Sequence, residues 1–97
     1  MRKLVWDKEA LLELKEAYNY LKKESLPSAK KVRKSILETA SELPKYPEIY
    51  SLDRFKKGNT NDYRAFEKYH YRVTYRIKEK EIRILRVRHT KREPLKH

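Results

Sequence analysis

The 97 residues carry 26 Lys and Arg against 14 Asp and Glu, a formal net charge of +12, in a chain that suffices for one small domain over residues 1–97 with a thin core. The absence of cysteine excludes disulfides, thiolate nucleophiles and cysteine-based zinc sites, and no apolar run approaches the roughly 18 residues that span a bilayer. Met1-Arg2-Lys3 is basic but leads into a charged segment rather than a secretory apolar core, so a soluble cytoplasmic protein is expected, one whose charge draws it to a polyanion or an acidic protein.

Hydrophobic residues make up 38% and charged ones 41%, a balance that borders on disorder. Eight Tyr, one Trp and two Phe set in regular apolar periods argue for a folded chain instead. Lys3-Leu4-Val5-Trp6 reads as a short first strand. Asp7 stands where a helix N-cap belongs, its carboxylate able to accept from backbone N–H groups one turn on. From Lys8 to about Lys23, Leu11, Leu14, Tyr18 and Leu21 fall three and four apart, a single helical stripe.

The helix ends at Ser25-Leu26-Pro27-Ser28, because Pro27 disfavours a helical Leu26. Ser28 can cap a second helix, striped by Ala29, Val32, Ile36, Ala40 and Leu43 and stopped by Pro44. So short a loop between amphipathic helices makes an antiparallel hairpin. Residues 44–62 hold two of the four prolines and Gly58, the only glycine, and read as an irregular connection.

From Tyr63 the period changes to two. "YRAFEK" gives one strand and "YRVTYRIK" the next, with Tyr71, Val73, Tyr75 and Ile77 on one face and Arg72, Thr74, Arg76 and Lys78 on the other. Lys78-Glu79-Lys80 turns the chain into "EIRILRVRH", in which Ile82 and Ile84 mark one face and Leu85 and Val87 the other. These three strands form an antiparallel meander. The expected fold is α+β, in the order β-α-α-β-β-β, with the helical hairpin packed on the apolar sheet face because neither layer can hide that face alone. The last strand is then central, and the opposite face displays Arg72, Arg76 and arginines of the last strand.

In this order, "YRAFEKYHYRVTYRIKEKEIRILRVRHTKREP" and the preceding "YPEIYSLDRFKKGN" resemble the RelE/ParE toxin superfamily of bacterial type II toxin–antitoxin modules. The specific pieces are Tyr71-Arg72-Val73-x-Tyr75 and the ending Ile82-x-Ile84-Leu85-x-Val87-x-His89-x-x-Arg92-x-Pro94. The resemblance covers essentially the whole chain. It implies a toxin wrapped and neutralised by a small cognate antitoxin protein. With only three separated His, no Cys and a lone Gly, neither a metal nor a cofactor is expected. ParE-like members bind DNA gyrase, whereas RelE-like members enter the ribosome and cut mRNA.

Cleavage through a 2′-hydroxyl needs a base, cations for the developing phosphate charge and an acid for the leaving oxygen. The nuclease candidates are Arg72 as phosphate clamp, Arg86 or Arg88, His89, Lys91 and Arg92, while Arg64 falls near a family lysine on the preceding strand. Phe66 stands where a second family lysine is expected, and the ending Leu95-Lys96-His97 lacks a tail tyrosine. That leaves "HTKREP" closer to the ParE branch. Under the ParE reading Arg64, Arg72, Arg76, Arg86, Arg88, Lys91 and Arg92 form a recognition surface rather than a catalytic set. A third reading, a basic nucleic-acid-binding module, lacks the exposed aromatic pattern of stacking sheets.

Overall fold

The computed structural model describes residues 1–53, Gly58 and residues 62–91. Six elements follow the expected order: β1 (Lys3–Trp6), α1 (Lys8–Lys22), α2 (Leu26–Ser41), β2 (Tyr63–Lys68), β3 (Tyr71–Ile77) and β4 (Glu81–His89). They build a four-stranded sheet in the order β1-β4-β3-β2, so the arginine-rich last strand is indeed interior. β1 runs parallel to β4 and pairs Lys3 with Glu81 through Trp6 with Ile84, while the other two pairings are antiparallel.

One side of the sheet meets the helices. Ala10, Leu14 and Ala17 of α1 and Val32, Ile36 and Ala40 of α2 pack with Phe66, Tyr71, Val73, Tyr75, Ile82, Ile84 and Val87 in a continuous apolar core. Small alanines on both helices bring the backbones close to each other and to the sheet. No helix among the described residues is long and apolar enough to cross a membrane.

Three local expectations are corrected. Val87 shares the core face with Ile82 and Ile84 instead of opposing them, because Thr74 pairs with Arg86 while Tyr75 pairs with Ile84, leaving Leu85 as an extra residue. This bulge shifts the strand's parity by one, returning Val87 to the core and turning Arg86 and Arg88 to the same face as Arg83. Asp7 occupies the N-cap position of α1 but its carboxylate makes no capping bond; it pairs with Arg83 instead. In α2 the cap is Ser25, whose hydroxyl accepts from the Ser28 amide at 3.2 Å. Leu26 and Pro27 then fill the first turn, where a missing N–H and a fixed φ are tolerated.

The β2–β3 turn consists of Tyr69 and His70, with φ of +50° and +72°. Two consecutive left-handed residues match the right-handed twist of a tight hairpin, a geometry usually given to Asn and Gly.

Candidate functional site

The sheet face opposite the apolar one is a ladder of arginines. Register sets Arg72 against Arg88 and Arg76 against Arg83, with Arg86 against Thr74. Like charges placed directly across a ladder destabilise it, and here each is offset by a carboxylate. Arg76 meets Asp62 at 3.4 Å and the Tyr63 ring at 5.1 Å. Arg83 donates to Glu81 and Asp7, and these bonds, Glu81's above all, push its pKa above the ordinary arginine value. Arg86 forks onto Glu13 with its nearest contact at 2.8 Å, and Arg88 lies 3.9 Å from the same carboxylate.

Arg72 is the most enclosed of the five. Its guanidinium lies 2.7 Å from Asp53 and 3.1 Å from Glu67, and only 6% of the side chain is exposed. The open-face placement expected for Arg72 is therefore corrected. Asp53 belongs to the segment after α2, which lies beside β2 through a bridge between Leu52 and Arg64 and a bond from the Asp53 amide to the Tyr63 carbonyl. That segment brings a buried carboxylate onto a face the helices leave uncovered.

Arg64 is also engaged inward. It shares the register row of Tyr75 and donates to the Tyr50 carbonyl at 2.7 Å, fastening the same connection. Tyr75 joins this arrangement by donating to the Pro47 carbonyl at 2.7 Å. Burial pushes its phenol up to about 12, with the Arg64 cation pulling the other way.

Glu13 has a second role at the edge of β4. β1 stops beside Ile84, where the Asp7 amide still donates to the Ile84 carbonyl. Beyond that point no strand among the described residues pairs with Val87 on this side, and its amide donates to Glu13 at 2.8 Å. One helical carboxylate thus ends a strand edge and neutralises two arginines.

His89 lies on the Tyr71 and Val87 side, with its ring 5.1 Å from Tyr71 in an edge-on contact and 6.3 Å from His70. Its Nδ1 accepts from the Lys91 amide at 3.1 Å. Lys91 itself is exposed, and Arg92 lies outside the described residues. Of the described nuclease candidates, Arg72 lies across from Arg88, and Arg86 and Arg88 share Glu13 on one face, but Arg72 is held by Asp53 and His89 sits on the opposite face by register. Among the described residues no group of three His, Asp or Glu is placed to hold a metal ion.

Two carboxylates that hold the sheet arginines leave little mark in the sequence. Asp53 and Glu13 are separated from their arginines by 19 and 73 positions, and neither spacing carries a local signal. Glu13's position just before the stripe residue Leu14 was the only hint that it would reach the sheet.

A family model for the ParE toxin of type II toxin–antitoxin system, parDE, matches residues 4–94. Among solved structures, the chain is similar to one described as the chromosomal ParDE toxin–antitoxin system from P. aeruginosa, with a TM-score of 0.75, 24% identity, and coverage of 94% of this chain and 98% of that one. It is also similar to a YoeB dimer from Staphylococcus aureus, with a TM-score of 0.56, 18% identity, and coverage of 88% and 92%. A YoeB–YefM complex from the same organism gives a TM-score of 0.53, 18% identity, and coverage of 91% and 95%. No curated protein sequence matches the chain.

Proposed function

The chain belongs to the ParE toxin family of type II toxin–antitoxin systems, and from that premise we propose that it inhibits growth in the cytoplasm by binding a protein target of the DNA gyrase kind. A cognate antitoxin holds it silent, and the pair serves plasmid stabilization. The observation that carries this reading is the engagement of the sheet arginines. A phosphate clamp needs guanidinium donors aimed at an open site, whereas Arg72 is 6% exposed and spent on Asp53 and Glu67. Ordered, half-buried ion pairs suit a preorganised recognition surface better than a hydrolytic centre.

The antitoxin's place is supported by the helical hairpin. Leu11 is half exposed and lines a groove with Leu14, Lys15, Tyr18 and Arg33. An amphipathic segment with an acidic flank fits such a groove. One similar structure is described as a ParDE toxin–antitoxin system, and another as a YoeB–YefM complex.

The alternative, ribosome-dependent mRNA cleavage, draws support from the +12 charge. Expression from a tightly repressed promoter, with labelled thymidine and methionine followed over the first minutes, separates the two. An early fall in thymidine incorporation with translation intact supports the gyrase reading. Immediate collapse of methionine incorporation overturns it in favour of the nuclease.

A further inference from the structure

The surplus charge is not where the sheet arginines are. Residues 20–34, from the end of α1 through the turn into α2, carry Lys22, Lys23, Lys30, Lys31, Arg33 and Lys34 against a single acid, Glu24. All six cations are exposed, and among the described residues none forms an ion pair, in contrast to the five arginines of the sheet. From this contrast we infer that the turn end of the helical hairpin is a docking surface for the phosphate backbone of duplex DNA, separate from whatever protein the toxin poisons.

Three observations select this occupant. Five of the six cations are lysines, and lysine is depleted at protein–protein interfaces, where arginine and aromatic anchors dominate. A lysine field is the chemistry of non-specific phosphate contact. Two nearby aromatic rings are already faced by cations: Lys22 and Arg33 stand 5.9 and 5.7 Å from Tyr18, and Lys31 stands 5.6 Å from Tyr69. Single-strand binders need open rings on which bases stack, so the backbone of a duplex fits better than unpaired bases. Lys30 and Lys34 are one turn apart, about 6 Å along the helix, with Lys31 between them. The patch therefore follows a strand of phosphates without reading sequence.

The test is fluorescence anisotropy of a labelled 20-base-pair duplex against the full chain at 50 to 200 mM salt. With about four phosphate contacts, affinity falls on the order of 10²-fold over that range. The triple change Lys30→Glu, Lys31→Glu, Lys34→Glu weakens binding at 50 mM salt at least about 30-fold and flattens the salt slope by roughly 3. A matched triple, Lys3→Glu, Lys78→Glu, Lys80→Glu, makes the same change in net charge at exposed positions, the latter two in the β3–β4 turn at the end of β3 away from Tyr69. It leaves binding within about threefold, because surface charges farther off than a Debye length, roughly 14 Å at 50 mM salt, are screened. Circular dichroism checks that each variant is folded, and a Lys→Gln triple at the hairpin positions decides the matter should the Glu triple unfold. The inference is overturned if the wild type does not bind the duplex at 50 mM salt, if both triples lose affinity equally, or if a single-stranded 20-mer binds more tightly than the duplex.

Discussion

Arg72 of β3 and Asp53 of the segment after α2 form a 2.7 Å ion pair, 6% and 0% exposed. Bringing both charges out of water is costly, and the pair holds because each answers the other. Removing one partner alone strands the other. Asp53→Ala is therefore expected to destabilise the protein by about 3–5 kcal/mol in urea unfolding. The double change Asp53→Leu, Arg72→Met recovers most of that loss. A double variant no more stable than the single would show that the segment is held by contacts other than this pair.

Glu13 makes a second prediction. Glu13→Ala removes the carboxylate that the Val87 amide and the Arg86 guanidinium share, leaving Arg86 its longer 3.6 Å pairing with Glu9, a loss of about 2–3 kcal/mol for a charge-assisted group at a strand edge. Hydrogen exchange at the Val87 amide reads the effect locally: protection should collapse there while Val73 in β3 stays protected. Equal loss at both sites would mean global destabilisation rather than an opened edge.

Tyr75 sets an alkaline limit. Its phenol is raised to about 12 in the fold by burial against about 10 in the unfolded chain. A group whose folded pKa is raised contributes fully below its unfolded pKa and loses that contribution as pH climbs to the folded one. Stability should thus fall between about pH 10 and 12, by up to roughly 1.4 kcal/mol per pH unit. Tyr75→Phe loses about 1 kcal/mol at pH 7, with the Pro47 bond, and its stability curve should be flatter than wild type above pH 10. Parallel curves would remove Tyr75 from the account.

The Tyr69–His70 turn holds two non-glycine residues at positive φ, a conformation that costs on the order of 1 kcal/mol or more at each. Replacing the pair by Asn and Gly should raise the melting temperature by several degrees, at roughly 4–8 °C per kcal/mol for a domain of this size. An unchanged or lower value would show that the Tyr69 ring, which faces Lys31 at 5.6 Å, contributes more than the strain removes.

The periodic parts of this fold were legible from residues alone. Leu14, Tyr18 and Leu21 mark α1, and Tyr71, Val73 and Tyr75 mark β3, because their spacing repeats the geometry of the element itself. Leu11 of the same helical stripe is half exposed, and Ala10 and Ala17 take the buried face instead. The face of Val87 was not legible. A bulge at Leu85 shifts the parity of β4, and a one-residue insertion leaves no trace in local alternation. The candidate site was less legible still. The arginines are visible as a charge pattern, but whether Arg72 is open or sealed depends on Asp53, which arrives by way of an irregular segment. Caps failed for a related reason: Asp7 suits either a helix start or an arginine, and only the fold decides between them.

The parallel pairing of β1 with β4 has a bearing on how the protein comes into being. Lys3 to Trp6 are made well before their partners, residues 81–84. Until β4 is synthesised the first strand has no neighbour, β3 lacks one side of its ladder, and the hairpin's alanine-lined face has only part of its sheet to cover it. Closing so long a loop is entropically slow. A finished surface therefore waits on residues 81–84. A chain cut short before residue 81 cannot build the central strand, so premature termination yields an unfolded fragment rather than a partly formed toxin.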